Sequence, residues 1–191
     1  MIFEKGYLYH IFNQGNNKQR IFYNRENYFF FLKKVNKYLL PYVDVLAWCL
    51  MPNHFHLMVL VNKTHQVTQS HQVSKTTINQ SIAILLRSYT RAINKQENRT
   101  GSLFREGTKA ECINCFKGVK PSFINSDILM GNHLSEKQYP QICFDYIHQN
   151  PVKAKLVKNA YDWEFSSARD YAGLRNGKLV NKLVASKFVD F

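Results

Sequence analysis

Residues 43–61 contain two apolar runs on either side of Pro52-Asn53, and no other stretch constrains the fold as strongly. The first run is VDVLAWCLM and the second is HFHLMVLV, and both have the length and the β-branched and aromatic content of strands. A Pro-Asn pair is a turn signal, and a link this short joins antiparallel strands. The sequence therefore predicts a β-hairpin whose second strand begins at His54.

The second strand of this hairpin carries two histidines. Because side chains alternate between the faces of a strand, His54 and His56 are predicted on one open face, while Phe55, Leu57 and Val59 face a core formed with helices. Two imidazoles on one face can hold a divalent metal ion through their ring nitrogens. The alternative is two independent, half-buried histidines, and the His-x-His spacing alone does not separate the two interpretations.

Further strands and helices are predicted on both sides of the hairpin. A strand over 7–13 ends at the turn Gly15-Asn16-Asn17, and another strand lies within TKAECINC. Apolar residues at helical spacing mark one segment between Asn24, the expected N-cap, and Pro41, and a second segment starting at Ile78. These residues are Tyr28, Phe31, Leu32, Val35, Tyr38 and Leu39, and then Ile78, Ile82, Leu85, Leu86, Tyr89 and Ile93. A last helix is predicted to reach Pro151, with a resumption beyond it as the alternative.

The predicted order is β-α-β-β-α-β-α, which makes this an α+β chain. A β-α-β-β-α-β core is typical of the ferredoxin-like or RNA-recognition-like (RRM-like) antiparallel sheet, here with an added C-terminal helix. In that arrangement the first and third strands are central, so the histidine pair would lie on a central strand. We expect one domain over residues 1–175 and a C-terminal extension over 176–191. Residues 62–77 are a predicted mobile loop, and 117–140 are irregular.

The charge balance indicates a polyanionic partner. The chain has 26 Lys and Arg against 13 Asp and Glu, a formal net charge of +13. This favours nucleic acid, with an anionic membrane surface as the alternative. Arg87, Arg91 and Lys95 form a row opposite the apolar side of their helix, where they are either solvated or in contact with phosphates. No stretch suits a membrane span or a signal peptide, so a cytoplasmic location is expected.

The four cysteines fit a reducing compartment. Cys49 and Cys143 have apolar neighbours and are predicted to be small core residues. Cys112 and Cys115 form a single C-x-x-C, and a structural zinc site would need further ligands, for which His133 is the available candidate. We therefore expect two reduced thiols at this pair.

Five motifs, in order along the chain, resemble the HUH single-tyrosine transposases of bacterial insertion sequences, and more closely the REP-associated tyrosine transposase (RAYT) group. The motifs are YHIFNQGNN with the following Ile21-Phe22, then MPNHFHL, GSLFREG, YIHQNPVKAKLV and WEFSSARDY. Together they run through most of the chain, which is far more specific than a His-x-His pair.

The resemblance implies roles for particular residues. His54 and His56 match the two metal ligands, Tyr146 matches the nucleophile, and Asn150 matches the polar residue that completes the metal site. Tyr146 and Asn150 are also four residues apart, so they share a helix face, and Pro151 should end the helix at Asn150. From the residues alone, Tyr146 could equally be a packing residue and Asn150 a C-terminal cap.

The implied reaction is metal-assisted cleavage and rejoining of single-stranded DNA through a 5′-phosphotyrosine, with magnesium or manganese as the cofactor. The DNA partner would carry a hairpin, and the resemblance leaves open whether the protein acts alone or as a homodimer. Asn13 and Arg105 lie in the matching motifs, so they are predicted, with the Arg87 row, to contact DNA.

The chain departs from the family in two places, and rival functions follow from the same core. Asn13-Gln14-Gly15 stands where the family usually has arginine before the glycine, and residues 117–140 are longer than the usual link. A non-catalytic, domesticated binder of single-stranded nucleic acid is the main rival, although the predicted face lacks the aromatic pair of RNA-recognition modules. A zinc deaminase is disfavoured because no H-x-E precedes a P-C-x-x-C.

Overall fold

The computed structural model describes residues 2–66, 76–115, 122–123 and 138–191. The strands are β1 Leu8–Gln14, β2 Val43–Met51, β3 His54–Val61, β4 His65–Gln66, β5 Thr76–Thr77 and β6 Lys109–Cys112. The helices are α1 Arg25–Tyr38, α2 Ile78–Gln96, α3 Tyr139–Lys153, α4 Ala168–Tyr171 and α5 Lys182–Ala185. The main sheet is antiparallel and has the spatial order β2-β3-β1-β6. The predicted fold class is confirmed, and so is the central position of the first and third strands.

The predicted hairpin is also confirmed. Met51 pairs with His54 across the Pro52-Asn53 turn, and Gln14 pairs with His54 on the other side of β3. The turn after β1 packs against this hairpin, because the Gly15 amide donates to the Asn53 carbonyl at 2.8 Å. A Cβ on Gly15 would clash with the Gln19 carbonyl oxygen, so only glycine allows this tight approach.

Helices α1 and α2 cover one face of the sheet. Phe31 and Val35 of α1 and Ile82 and Leu85 of α2 belong to the same buried cluster as Phe55, Leu57 and Val59 of β3. This is the side predicted for these three β3 residues. Both helices begin at capping boxes, in which Asn24 and Thr77 accept hydrogen bonds from the backbone of the first turn. Asn24 is therefore the N-cap of α1, as the sequence predicts.

The opposite face of the sheet is not open, which corrects the sequence-based expectation. Helix α3 lies over it, and Cys143, Phe144 and Ile147 are buried with Leu46 and Met58 of the strands. Fully burying side chains of the size of Phe or Ile contributes about 1.5–3 kcal/mol each. A sheet face with such apolar residues is stable only when another element covers it.

The chain beyond α3 completes the sheet edge at β2. The Leu50 amide donates to the Phe165 carbonyl and the Ser167 amide to the Trp48 carbonyl, so the segment around Ser166 runs beside β2 like a further strand. Within 176–191, Ala185 and Val189 are buried in the same apolar cluster as Cys143, Phe144 and Ile147 of α3. The predicted C-terminal extension therefore packs on the same core.

The prediction of reduced thiols at the C-x-x-C pair is wrong, because Cys112 and Cys115 form a disulfide. The turn through buried Ile113 brings their Cα atoms to 5.7 Å, within the range that a disulfide spans. The prediction for Cys49 and Cys143 is confirmed, since both are free and buried. His133, the candidate zinc ligand, lies outside the described residues.

The two predicted loops are described only in part. At the ends of the 62–77 segment, His65–Gln66 (β4) and Thr76–Thr77 (β5) form a short antiparallel pair, and residues 67–75 lie outside the described ranges. Of 117–140, the structure describes only 122–123 and 138–140. Within the described ranges, no helix has both the length and the apolar character needed to cross a membrane.

Helix α2 offers a matched test of this packing. Ile82 is 4% exposed and Ile84 on the same helix is 40% exposed. Ile82→Ala should lower the free energy of unfolding by about 2–5 kcal/mol, because it leaves a cavity in the core. Ile84→Ala should change it by less than about 0.5 kcal/mol. Urea unfolding followed by circular dichroism measures both, and equal losses would contradict the placement of α2.

Candidate active site

The histidine pair of β3 lies beneath α3. His56 is buried, with 5% of its surface exposed, and His54 is partly exposed beside it. Their ring centroids are 5.0 Å apart, and the Tyr146 ring stands edge-on to His56 at 5.4 Å. The structure therefore brings together Tyr146, His54 and His56, which are separated by about ninety residues in the sequence.

Two kinds of contact hold α3 in place over the pair. Its apolar side, with Cys143 and Ile147, is buried against the sheet. In addition, His148 Nε2 and Ser167 Oγ form a buried hydrogen bond of 2.7 Å, and Ser167 Oγ is itself bonded to the backbone of Trp48 on β2. The helix is thus fixed to the strand edge through a polar contact that specifies its rotation as well as its position.

Asn150 faces the histidines from the next turn of α3. Its amide group donates from Nδ2 to the Tyr146 carbonyl at 2.8 Å, which turns Oδ1 towards His54 Nε2 at 3.5 Å. The prediction that Asn150 ends the helix is wrong, because α3 continues to Lys153 with Pro151 inside it. The Ala154 amide donates to the Asn150 carbonyl and closes this last turn. The steric preference before proline is only a bias, and Pro151 is buried in the packing of α3.

The hydrogen bonds of His54 define which ring nitrogen is free. His54 Nδ1 lies 2.6 Å from Asn53 Oδ1, while Asn53 Nδ2 donates to the Lys18 carbonyl. Since an amide oxygen only accepts, the neutral His54 ring must donate from Nδ1, which leaves a lone pair on Nε2. The Nε2 lone pair and Asn150 Oδ1 are then two acceptors facing each other, an arrangement that a cation between them would stabilise.

His56 contributes a further unused nitrogen. Its Nδ1 is hydrogen-bonded at 2.9 Å to Nε2 of His10 on β1, whereas its Nε2 is buried without a hydrogen-bond partner. His10 is a site residue that the motif comparison missed. The available signal was its strand position, because His10 and His56 occupy the same face of two neighbouring central strands.

Burial keeps these imidazoles neutral. It lowers the pKa of His10 to about 3, and it is the main reason that the pKa of His56 lies well below its ordinary value, with His10 and His54 lowering it further. Burial also lowers the pKa of His54, against the hydrogen bond that a protonated ring would donate to Asn150. Neutral rings keep their lone pairs, which is the state that binds metal ions.

The donor set fits a divalent cation. The part of the chain that the structure describes contains no group of three or more His, Cys, Asp or Glu placed to hold a metal. A metal at this site would instead be held by two imidazoles and one amide oxygen, His54, His56 and Asn150, with other positions left to water or substrate. The orphaned Nε2 of His56 and the facing acceptors of His54 and Asn150 are the observations that support this fit.

The Tyr146 hydroxyl sits in a partly enclosed environment. Its ring stacks with Phe123 at 5.8 Å, and the Lys153 ammonium lies 5.4 Å from the ring centroid. Burial raises the pKa of the Tyr146 phenol above its usual range, and a hydrogen bond with the Asn150 side chain offsets part of that shift. Burial therefore favours the protonated phenol.

The residues predicted to contact DNA lie in different places. Arg105 is exposed near the end of β1, where its amide donates to the Gln14 carbonyl. Asn13 is buried. Its Nδ2 donates hydrogen bonds to Thr108 Oγ1 and to the Arg105 carbonyl, and its Oδ1 accepts one from the Gln14 amide. Asn13 therefore holds the Arg105 segment in place. The exposed row of Arg87, Arg91 and Lys95 lies on α2, across the sheet from the histidines.

Comparison with known proteins gives one informative likeness. No protein-family model matches the chain, and no curated protein matches it. Among solved structures, the fold is similar to that of a REP-associated tyrosine transposase bound to a REP hairpin, with a TM-score of 0.54 and 18% sequence identity. The match covers 95% of this chain and 92% of the transposase chain. The chain therefore has the fold of that transposase over nearly its whole length.

Proposed function

We propose that this protein is a transposase-type enzyme that cleaves and rejoins single-stranded DNA with Tyr146 as nucleophile. The observation that carries the proposal is the meeting of Tyr146 and Asn150 of α3 with His54 and His56 of β3. The fold shared with a transposase that binds a REP hairpin supports it, as does the net charge of +13. A purely nucleic-acid-binding role would not require buried imidazoles with unused nitrogens.

In this proposal a magnesium or manganese ion is the cofactor, held by His54, His56 and Asn150. When bound, it would supply Lewis-acid polarisation of the scissile phosphate and a fixed orientation for it. Asn53 fixes the His54 ring so that its Nε2 stays a ligand atom. Asn150 is fixed in turn by its bond to the Tyr146 carbonyl, which couples the ligand set to the helix that carries the nucleophile.

Cleavage then follows from the Tyr146 oxygen. The oxygen attacks phosphorus and forms an O–P bond, while the bond from phosphorus to the 3′ oxygen breaks and that oxygen leaves as a 3′-hydroxyl. The protein remains joined to the 5′-phosphate, and attack by a 3′-hydroxyl reverses the step and rejoins the strand. The phenol must lose its proton for attack, and the leaving 3′ oxygen takes up a proton in exchange. We propose that the Lys153 ammonium, 5.4 Å from the centroid of the Tyr146 ring, assists the loss from the phenol.

The proposed substrate is single-stranded DNA next to a hairpin. Arg105, which precedes β6, and Lys109, the first residue of β6, are both exposed. The Lys109 ammonium lies 5.9 Å from the ring of Phe12, which stacks on His10 at the site. Cations at this end of the sheet can bind the phosphates that flank the scissile bond. The α2 row lies across the sheet, so we assign it no role in the cleavage step.

Tyr146→Phe tests the nucleophile. It removes one oxygen and keeps the ring against Phe123 and His56, so the fold should remain and the covalent adduct should disappear. The assay is denaturing electrophoresis of hairpin DNA with 3′ label on its single-stranded flank, in the presence of manganese. Tyr161→Phe is the matched control, because Tyr161 is 44% exposed and lies outside the site. An undiminished adduct with Tyr146→Phe would disprove the assignment.

His54→Ala and His56→Ala test the metal centre. Each should abolish metal-dependent cleavage and weaken manganese binding, because each removes one imidazole ligand. Asn150→Ala should be milder, since both imidazoles remain. Manganese binding is measured by electron paramagnetic resonance, and circular dichroism checks the fold. If the histidine variants are unfolded, the pair has a structural role. If they are folded and cleave DNA at the wild-type rate, the reaction does not need a metal ion held by these histidines.

The two arginine positions distinguish the DNA-binding face. Arg105→Ala should weaken binding of single-stranded DNA and reduce the slope of log affinity against log salt by about 0.7, the value for one phosphate contact. Arg91→Ala on α2 should leave the slope unchanged. Fluorescence anisotropy between low and moderate salt measures both. The reverse result would place the DNA on the α2 side of the sheet.

A further inference from the structure

We infer that His10 is a positioning residue that holds the ring of His56 and accepts its Nδ1 proton when a metal ion binds at His56 Nε2. The inference rests on the proposed function, since it concerns the same metal centre. None of the five sequence motifs assigns a role to His10 beyond its place in the first strand. It is 1% exposed, on the central strand next to β3.

The contact between the two rings is direct and secluded. His10 Nε2 and His56 Nδ1 are 2.9 Å apart, and the rings are nearly parallel with centroids at 5.0 Å. Around His10 stand the rings of Phe12, Phe123 and Tyr146. His10 Nε2 is the hydrogen-bond partner that the structure gives to His56 Nδ1.

One proton is shared at this contact, and its position decides what His56 can do. If His56 donates from Nδ1, its Nε2 carries a lone pair and is a ligand. If His10 donates from Nε2, then His56 must carry its own proton on Nε2, and that nitrogen cannot bind a metal. The hydrogen bond thus allows two arrangements, of which only the first supports the metal centre.

Binding of a cation selects the first arrangement. The outer nitrogens, His10 Nδ1 and His56 Nε2, are both buried without partners. A cation bound at His56 Nε2 gives that nitrogen a partner. It can bind there only when His56 donates its Nδ1 proton to His10. Metal-ligating histidines in general donate their other N–H to a neighbouring acceptor, and loss of that acceptor weakens metal affinity about 10–100-fold. Here a second imidazole supplies the acceptor.

Two variants of His10 separate the hydrogen bond from packing. His10→Phe keeps a ring in the aromatic cluster and removes the acceptor, so manganese affinity should fall about 10–100-fold. His10→Gln places an amide oxygen near the former Nε2 position and should recover most of that loss. Manganese affinity is measured without DNA by electron paramagnetic resonance, and thermal unfolding confirms that each variant is folded.

The wild-type protein supplies a readout that needs no variant. With saturating magnesium, the ¹⁵N chemical shifts of the His56 ring should show a protonated Nδ1 and an unprotonated Nε2. A protonated Nε2 in that state would overturn the inference, and so would wild-type manganese affinity in folded His10→Phe or equal losses in the two variants. Wild-type protein that binds no manganese would overturn it together with the metal centre. Manganese binding without DNA cleavage would overturn the proposed function alone.

Discussion

Burial of the apolar side of α3 against the sheet is the interaction on which the candidate site depends. Cys143, Phe144 and Ile147 cover Leu46 and Met58, and this packing is what places Tyr146 above His56. The energy comes from the removal of apolar surface from water. The hydrogen bond between His148 and Ser167 supports the same orientation of the helix. Apolar burial and this polar contact thus turn the same side of α3 towards the strands.

The polar groups of the site follow from that docking. Once α3 covers the sheet, His54, His56 and His10 lose water, and a buried polar group must find a partner or remain at a cost. His54 is hydrogen-bonded to Asn53, His56 is hydrogen-bonded to His10, and Asn150 donates to the Tyr146 carbonyl. What remains is the unpartnered Nε2 of His56, together with the facing acceptors of His54 and Asn150. The proposed chemistry of the site depends on these three atoms, because each could be a ligand of a cation.

The same reasoning separates the two faces of the sheet. The face beneath α1 and α2 is a conventional apolar core, and substitutions there should act on stability alone. The face beneath α3 holds the imidazoles, the tyrosine and the segment with Phe123, which Ser122 ties to Glu111 of β6 through two hydrogen bonds. Because Glu111 of β6 holds Ser122, and the neighbouring Phe123 stacks on Tyr146, the strand at this edge helps to enclose Tyr146.

The sequence by itself determined the elements and the residue types of the site. Alternation along 54–61 separated the histidines from Phe55 and Leu57, helical spacing identified α1 and α2, and the ordered motifs named Tyr146 and Asn150. These features are local, since each depends on residues close together in the chain. The tertiary structure alone decided that the histidine face is covered, that α3 continues through Pro151, that Cys112 and Cys115 are joined, and that His10 contacts His56. Each of these depends on which distant segments pack together, and the spacing of residues along one strand or helix carries no information about that choice.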